Sequence, residues 1–434
     1  MSLSKVHLRE NIGIVAGEAS ISKFKFFLTP LKNIVNRLGD HILIDHPIFG
    51  EQCPVLAIVK NIENFEEVIG ATLGEKSVQT IAVGQVMGYM DLKEAIKTGI
   101  MPLHQMLVPV SPGARVYLPY HNFLQAIFSR NLEGKPFIHA VHLGVHSLSS
   151  NDEHGVLRDI NLYIDIVELC NQHTLLTSMT GSGKTHTATI IAEELVNKHD
   201  YNVIIFDPHG EYTTIGANKQ NFEDLVQKYN GLLREYPFNI RTSIYTNQYK
   251  ETVNTLIKHK MELGKESNYT VKPIKAFSKE DLTLRKLTIF NMSGLSPAKR
   301  GSLFTDCMSI LYEERLRKQL PPFFLIVEEA GNLINNPEAA ALLQKIASEG
   351  LKYGISMCLL CQHPTEVDDK ILSQMGIQIM GRTVDPGDLK CLKYMAQKDV
   401  YSLSRFRVGE WLINGVPLLY PTKIRVRERY SKKP

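Results

Sequence analysis

Apolar and polar positions fall into two textures along this chain. From residue 1 to about 165, short alternating segments recur: Ile21 to Leu28, with Phe24, Phe26 and Leu28 on one face, then His41 to Asp45, Val55 to Val59, Val78 to Val83 and Val116 to Leu118. Turn clusters such as Pro47-Ile48-Phe49-Gly50 and Ser111-Pro112-Gly113 separate them. Many short strands at this spacing predict a small β-barrel or sandwich, with helical turns at Asp91 to Lys97 and His121 to Arg130. No catalytic constellation shows in this half, which reads as a structural or docking module.

From about 166 the apolar runs become continuous and alternate with helical periods. The strand segments are Thr174 to Thr177, Val203 to Phe206, Leu287 to Asn291, Phe323 to Glu329, Ile355 to Gln362 and Ile377 to Thr383. Helices are predicted after the first run, over Pro297 to Leu320 and over Glu338 to Tyr353. Strand, helix and strand within one short span make a βαβ unit, hence a parallel sheet buried on both faces. The polar stretch 212–285 reads as a helical insertion. At 405–434 an alternating end with Asn414-Gly415 reads as a β-hairpin.

One stretch carries explicit chemistry. The sequence SMTGSGKT, residues 178–185, joins a predicted strand to a predicted helix. It is the phosphate-loop pattern G-x-x-x-x-G-K-[ST] with Ser178 for the first glycine. Backbone N–H groups of Thr180, Gly181, Ser182, Gly183, Lys184, Thr185 and His186 are the expected nucleotide cradle, backed by a helix N-terminus. Lys184 is expected on the β- and γ-phosphates of ATP, and the Thr185 hydroxyl on Mg²⁺.

Two further strand ends add to it. FFLIV runs into Glu328-Glu329, the form of a Walker B strand. Glu328 is the expected Mg²⁺ carboxylate, and Glu329 the group that polarises the attacking water. Gln362 closes the next apolar strand, where an amide reaches the γ-phosphate or the water. Cys358 and Cys361 make a C-x-x-C inside a strand, where positions three apart point to opposite faces, so a metal role is set aside. His139, His142 and His146 are read as structural histidines.

The chain has 434 residues, 44% hydrophobic and 22% charged, the proportions of a globular protein of two or three domains. No apolar run approaches a membrane span and no secretory signal is visible. With scattered cysteines this leads to the expectation of a cytoplasmic protein without a membrane partner. The formal net charge of +4 says little by itself. Its distribution says more: residues 405–434 hold 8 Lys/Arg against 2 Asp/Glu. Lys423, Arg425, Arg427 and Arg429 alternate there, so a strand would put four cations on one face for nucleic acid or a partner.

Together HTLLTSMTGSGKT, IIFDPHGEY, LIVEEAGNL, KIASEGLKYGISMCLLCQHP and GEWLINGVPLLYPTKIRV resemble the HerA branch of the HerA–FtsK ring ATPases, in order over most of 170–430. The first half is similar to the barrel that precedes the motor in that family. The resemblance implies an N-terminal all-β barrel (1–165) followed by a RecA-like P-loop core (166–434), α/β in class. It implies a homo-hexamer that hydrolyses ATP with Mg²⁺ and translocates double-stranded DNA, in end resection with a NurA-like nuclease. The family often has arginine where this chain has Leu351. Lys352 and Arg382 are the candidates for a cation reaching a neighbouring subunit's site. Rival readings are a motor or scaffold of a defence complex with another effector, and a conjugation or virus-packaging pump.

Overall fold

The computed structural model describes residues 9–29, 39–68, 76–129, 140–146, 150–151, 157–215, 242–258, 269–278, 286–415, 418 and 420–431. Two compact units divide the chain. The first takes residues Met1–Ile138 and Val145–Tyr163, the second His139–Gly144 and Ile164–Pro434.

In the first unit, β1 (Arg9–Ala19), β2 (Lys23–Leu28), β3 (His41–His46), β4 (Gly50–Val68), β5 (Lys76–Tyr89) and β6 (Arg115–Pro119) form a closed barrel in the order β1-β2-β5-β4-β3-β6. Antiparallel pairing of β1 with β6, from Arg9 against Pro119 to Ile14 against Arg115, closes the ring and leaves neither strand an open edge. Alternation decides what points inward: in β2, Phe24 and Phe26 are buried while their neighbours face out. Ile12, Ile42, Ile44, Val55, Ala57 and Val116 complete that core. Strand β1 was not anticipated, because Asn11, Gly13 and Gly17 break its apolar pattern. Gly13 is needed there, since a Cβ would collide with the Phe27 carbonyl. Two helices, α1 (Leu92–Thr98) and α2 (His121–Ser129), accompany the barrel. Asp91 caps α1 by accepting from the Lys93 and Glu94 amides, and Gly99 ends it in the left-handed region. Strands β8 (Ser150–Asn151) and β9 (Leu157–Arg158) pair as a short ribbon.

The chain passes through β10 (Asn161–Asp165) and α3 (Ile166–Cys170) into the second unit. Its strands are β7 (Ala140–His146), β11 (Thr174–Thr177), β12 (Asn202–Asp207), β13 (Thr242–Thr246), β14 (Tyr269–Pro273), β15 (Leu287–Asn291), β16 (Phe323–Val327), β17 (Ile355–Cys361), β18 (Ile377–Met380), β19 (Glu410–Gly415) and β20 (Thr422–Val426). They run in the order β7-β20-β19-β18-β11-β17-β16-β12-β15-β13-β14. From β18 to β14 every pairing is parallel. The four central strands β11, β17, β16 and β12 are buried at every position, which is why they read as unbroken apolar runs. Helix α4 (Lys184–His199) follows β11, and the helices Pro297–Leu316 and Pro337–Glu349 flank β16 in sequence.

Three expectations need correction. The insertion at 212–285 is not simply helical: its described part holds β13, the helix Tyr249–Lys258 and β14, which extend the parallel sheet. The rest of that stretch lies outside the described residues. The signal was weak because β14 is an edge strand, half exposed, and tolerates Thr, Lys and Pro. Residues 139–144 join the second unit although they precede position 165. The C-terminal hairpin exists as β19 paired with β20, but Asn414-Gly415 is not its turn. Both residues sit inside β19 opposite Gln378 and Ile377, and the Asn414 amide donates to Gln378 Oε1 at 2.7 Å.

In the barrel, a Cβ on Gly84 would lie 2.5 Å from the Phe24 ring. Gly84→Ala is therefore expected to cost about 1–3 kcal/mol through overpacking, read as a lowered midpoint in thermal unfolding. An unchanged midpoint would mean that this contact is slack.

Candidate functional site

Parallel order brings the carboxyl ends of β11, β17, β16 and β12 together at one edge of the sheet, where α/β folds hold ligands. The loop after β11 turns through Gly181 and Gly183, whose φ values of 78° and 101° lie in the left-handed region. Ser178 has no positive φ, so a serine serves where the pattern has its first glycine. It is fully buried against Gly381, whose own missing Cβ makes room for the Trp411 ring. Two backbone bonds fix the loop to the next strand end: Gly381 N–H to the Thr177 carbonyl at 2.8 Å and Met179 N–H to the Arg382 carbonyl at 2.9 Å.

Helix α4 begins at Lys184, so the loop amides sit at a helix N-terminus. Lys184 Nζ donates to the Ser178 carbonyl at 2.6 Å. Burial lowers its pKa, against the pull of nearby acidic groups. Thr185 Oγ1 donates to Glu328 Oε1 at 2.7 Å, and the Tyr212 hydroxyl donates to the same oxygen at 2.9 Å. Glu328 is 5% exposed, and burial, helped by the neighbouring Asp207, pushes its pKa up to about 7. Asp207 ends β12 fully buried, also raised by burial, and accepts from the amides of His209, Gly210 and Tyr212. That web folds DPHGEY into a compact turn beside Glu328.

Glu329 stands apart from its neighbour. Its φ of 51° and ψ of 47° place it in the left-handed region, rare for a residue with a side chain. Burial would raise its pKa, but hydrogen bonds from His209 and Asn332 and the charges of His209 and Arg300 bring it below the usual carboxylate value. The distances are 2.6 Å to His209 Nε2, 3.0 Å to Asn332 Nδ2 and 3.4 Å to Arg300 Nη1. The strained backbone and three side chains thus aim one carboxylate.

These groups surround a cavity of about 840 Å³. Thr180, Gly181, Gly183, Lys184, Thr185, His186, Glu328, Glu329 and Gln362 all line it. Ser182 is buried and not on its wall. Its donor set fits a magnesium–triphosphate: one hydroxyl and one carboxylate, both oxygen, in contact with each other. Among the described residues no cluster of three or more His, Cys, Asp or Glu side chains is placed to hold a metal by itself. A cation here would depend on phosphate oxygens and water for its remaining ligands. Lys352 and Arg382 are exposed and lie off this wall.

The four-cation face on the last strand is not present. Strand β20 ends at Val426, so the alternation stops before Arg427. Arg427 is fully buried beside α4: its Nη2 donates to Glu194 Oε1 at 2.7 Å and its Nε to the His142 carbonyl at 3.1 Å. Glu193 accepts from the Tyr430 and Ser431 amides, both at 2.8 Å. Arg429 is buried and lines the cavity. Lys423 pairs with Glu410 at 3.1 Å and lies over the Phe406 ring, leaving Arg425 as the exposed cation of the four. Sequence reasoning missed His209, Tyr212, Asp207, Arg300, Asn332 and the true place of Arg429. The run DPHGEY was the available signal for the first three.

Comparison with known proteins follows this geometry. The family model described as "Helicase HerA, central domain" matches residues 148–256. A probable helicase of Methanocaldococcus jannaschii is 23% identical over 96% of this chain and 90% of its own. The DNA double-strand break repair helicase HerA of Pyrococcus furiosus is 22% identical over 96% and 92%. These matches support a HerA-type ATPase. Among solved structures, VirB4 of Thermoanaerobacter pseudethanolicus is similar to 66% of this chain and 96% of its own, at 14% identity and a TM-score of 0.40. No helix among the described residues is long and apolar enough to cross a membrane.

The tail bond to α4 yields a prediction. Arg427→Met removes a buried cation from Glu194, which keeps Lys198, the Tyr430 hydroxyl and the His142 amide, and is expected to cost about 3 kcal/mol in thermal or denaturant unfolding. The pH dependence follows too. Burial raises the pKa of Glu194, but Lys198 and Arg427 outweigh it and hold the carboxyl down at about 2. A depressed carboxylate contributes stability above its unfolded value near 4.5 that is lost as pH falls toward 2. Glu194→Gln should flatten that acid limb in denaturant titrations at pH 2–5.

Proposed function

We propose that this chain is an ATP-driven motor acting on double-stranded DNA, working as a homo-hexameric ring. The observation that carries the reading is the meeting of Lys184, Thr185, Glu328, Glu329 and Gln362 around one cavity at the carboxyl edge of a parallel sheet. Lys184 and the loop amides would neutralise and orient the phosphates. Thr185 and Glu328 would hold Mg²⁺, which screens phosphate charge when bound. Glu329, steered by His209, Asn332 and Arg300, would orient the attacking water and draw its proton. Gln362 would contact the γ-phosphate side and pass its state to the loop that follows.

The relatives named as DNA double-strand break repair helicases favour a role in break repair; a NurA-like nuclease or another effector docked on the barrel unit is the partner we assign to it. Lys352, exposed on the 3-10 turn Gly350–Tyr353 that follows the helix Pro337–Glu349, and Arg382, exposed on the loop after β18, are the side chains we assign to a neighbouring protomer's site. Hexamer pores sum a few basic loops per subunit, and phosphate contacts are sequence-blind.

Three measurements test this. ATPase turnover with and without linear duplex DNA should rise several-fold with DNA. A flat response would favour a nucleotide-dependent scaffold of a defence complex instead. Lys184→Ala is expected to lower kcat by roughly 100-fold or more, the scale for removing one preorganised charge-stabilising donor. Glu329→Gln should retain ATP binding and lose turnover, because an amide cannot accept the water's proton. Normal hydrolysis by Glu329→Gln would remove Glu329 from the mechanism.

A further inference from the structure

We propose that His363 is a nucleotide-contacting residue that presents an imidazolium N–H to the phosphates, with Asp388 as its positioning residue. The inference rests on the reading of the cavity as an ATP site and adds a cation to it.

His363 follows Gln362 at the end of β17 and lines the same cavity as Thr180, Gly181 and Lys184. Its Nδ1 lies 2.8 Å from Asp388 Oδ2. Asp388 is 1% exposed, sits in the first turn of the helix Pro386–Ala396 and is absent from the cavity wall. It is itself held: Oδ1 accepts from the Thr365 hydroxyl at 2.8 Å and from the Thr365 amide at 3.4 Å, and its own amide donates to Asp385 Oδ1 at 2.9 Å. A carboxylate behind the ring fixes Nδ1 as a donor and leaves Nε2 for a second partner.

Charge balance gives that second partner its chemistry. The wall carries four carboxylates, Glu211, Glu328, Glu329 and Glu366, against the permanent cations Lys184 and Arg429. Three histidines also line it. His186 Nε2 lies 2.9 Å from the Arg427 carbonyl, and His209 Nε2 is bound to Glu329. His363 is the histidine anchored from behind the wall. Its pKa is raised by the Asp388 hydrogen bond and charge, with Glu366 and Asp385 adding to this and slight burial opposing it. The charged groups around it are Asp388 and Asp385 from the helix side, Glu366 from its own turn, and Lys184, Arg429, Glu211, Glu328 and Glu329 on the same cavity wall. A polyanion entering a wall short of cations would draw the imidazolium N–H, a charge-assisted donor.

The test is Mg²⁺-dependent binding of a fluorescent ATP analogue to the full chain between pH 6 and 9. Wild-type affinity should weaken as pH rises through the His363 titration. His363→Gln should bind roughly tenfold more weakly at pH 6.5, the scale of one charge-assisted bond, with that deficit vanishing at pH 9. His363→Arg should hold affinity across the range, and Asp388→Asn should move the wild-type fall to lower pH. Comparison between variants cancels the titration of the nucleotide and of Glu328, whose pKa of about 7 falls in the same window. Equal Kd values for wild type, His363→Gln and His363→Arg at every pH would overturn the proposal. So would a loss in His363→Gln that is equal at all pH values and not restored by arginine, the mark of a merely structural His363–Asp388 strap. A wild-type chain that binds no ATP would overturn the reading of the site itself.

Discussion

A 2.7 Å hydrogen bond from Thr185 to Glu328 joins the first turn of α4 to the end of β16, 143 residues apart in sequence. Everything at the site depends on that closure. It requires β11 and β16 to lie in one parallel sheet with β17 between them, so that a loop and an acidic pair emerge at the same edge. Placing a carboxylate in a site that is only 5% exposed is costly, as the upward pKa of Glu328 records. Tyr212 and Thr185 offset part of that cost by donating to one oxygen, and the buried Asp207 fixes Tyr212 in reach through backbone amides.

The two adjacent glutamates are separated in role by backbone geometry. Strand β16 ends at Val327, and the left-handed conformation at Glu329 gives its side chain partners other than the Thr185 and Tyr212 hydroxyls that hold Glu328. His209, from the turn after β12, and Asn332, one turn on in the helix that Glu329 begins, then hold Glu329. The two acids differ in pKa direction for the same reason: one is buried among acids and hydroxyls, the other is half exposed among cationic and amide donors.

The far end of α4 is secured by the end of the chain. Glu193 and Glu194, both fully buried, receive Arg427, Tyr430 and Ser431. Arg427 Nε and the His142 amide add β7 to the same knot. A buried charge pair of this kind contributes little net energy over an apolar substitute, yet removing one partner is severe. It therefore locks the tail in one register and sets Arg429 on the cavity wall. A residue that charge patterning placed on a nucleic-acid face lines, by this geometry, the cavity at the carboxyl edge of the sheet.

The sequence by itself determined the local elements whose signal is local. The loop SMTGSGKT needs only its own glycines and the helix behind it, and the apolar runs ending in Glu328-Glu329 and Gln362 carry their own burial. The alternation of Phe24 and Phe26 likewise foretold an inward face of a barrel. Tertiary structure decided what depends on partners distant in sequence. Strands β13 and β14 exist because a sheet edge is there to accept them, and Asn414-Gly415 stays in a strand because β18 pairs with it. Arg427 is buried because two glutamates on α4 supply the compensating charge. His209, Tyr212 and His363 become site residues only when separate strand ends meet, since a side chain's role follows from its neighbours in space and not from its own pattern.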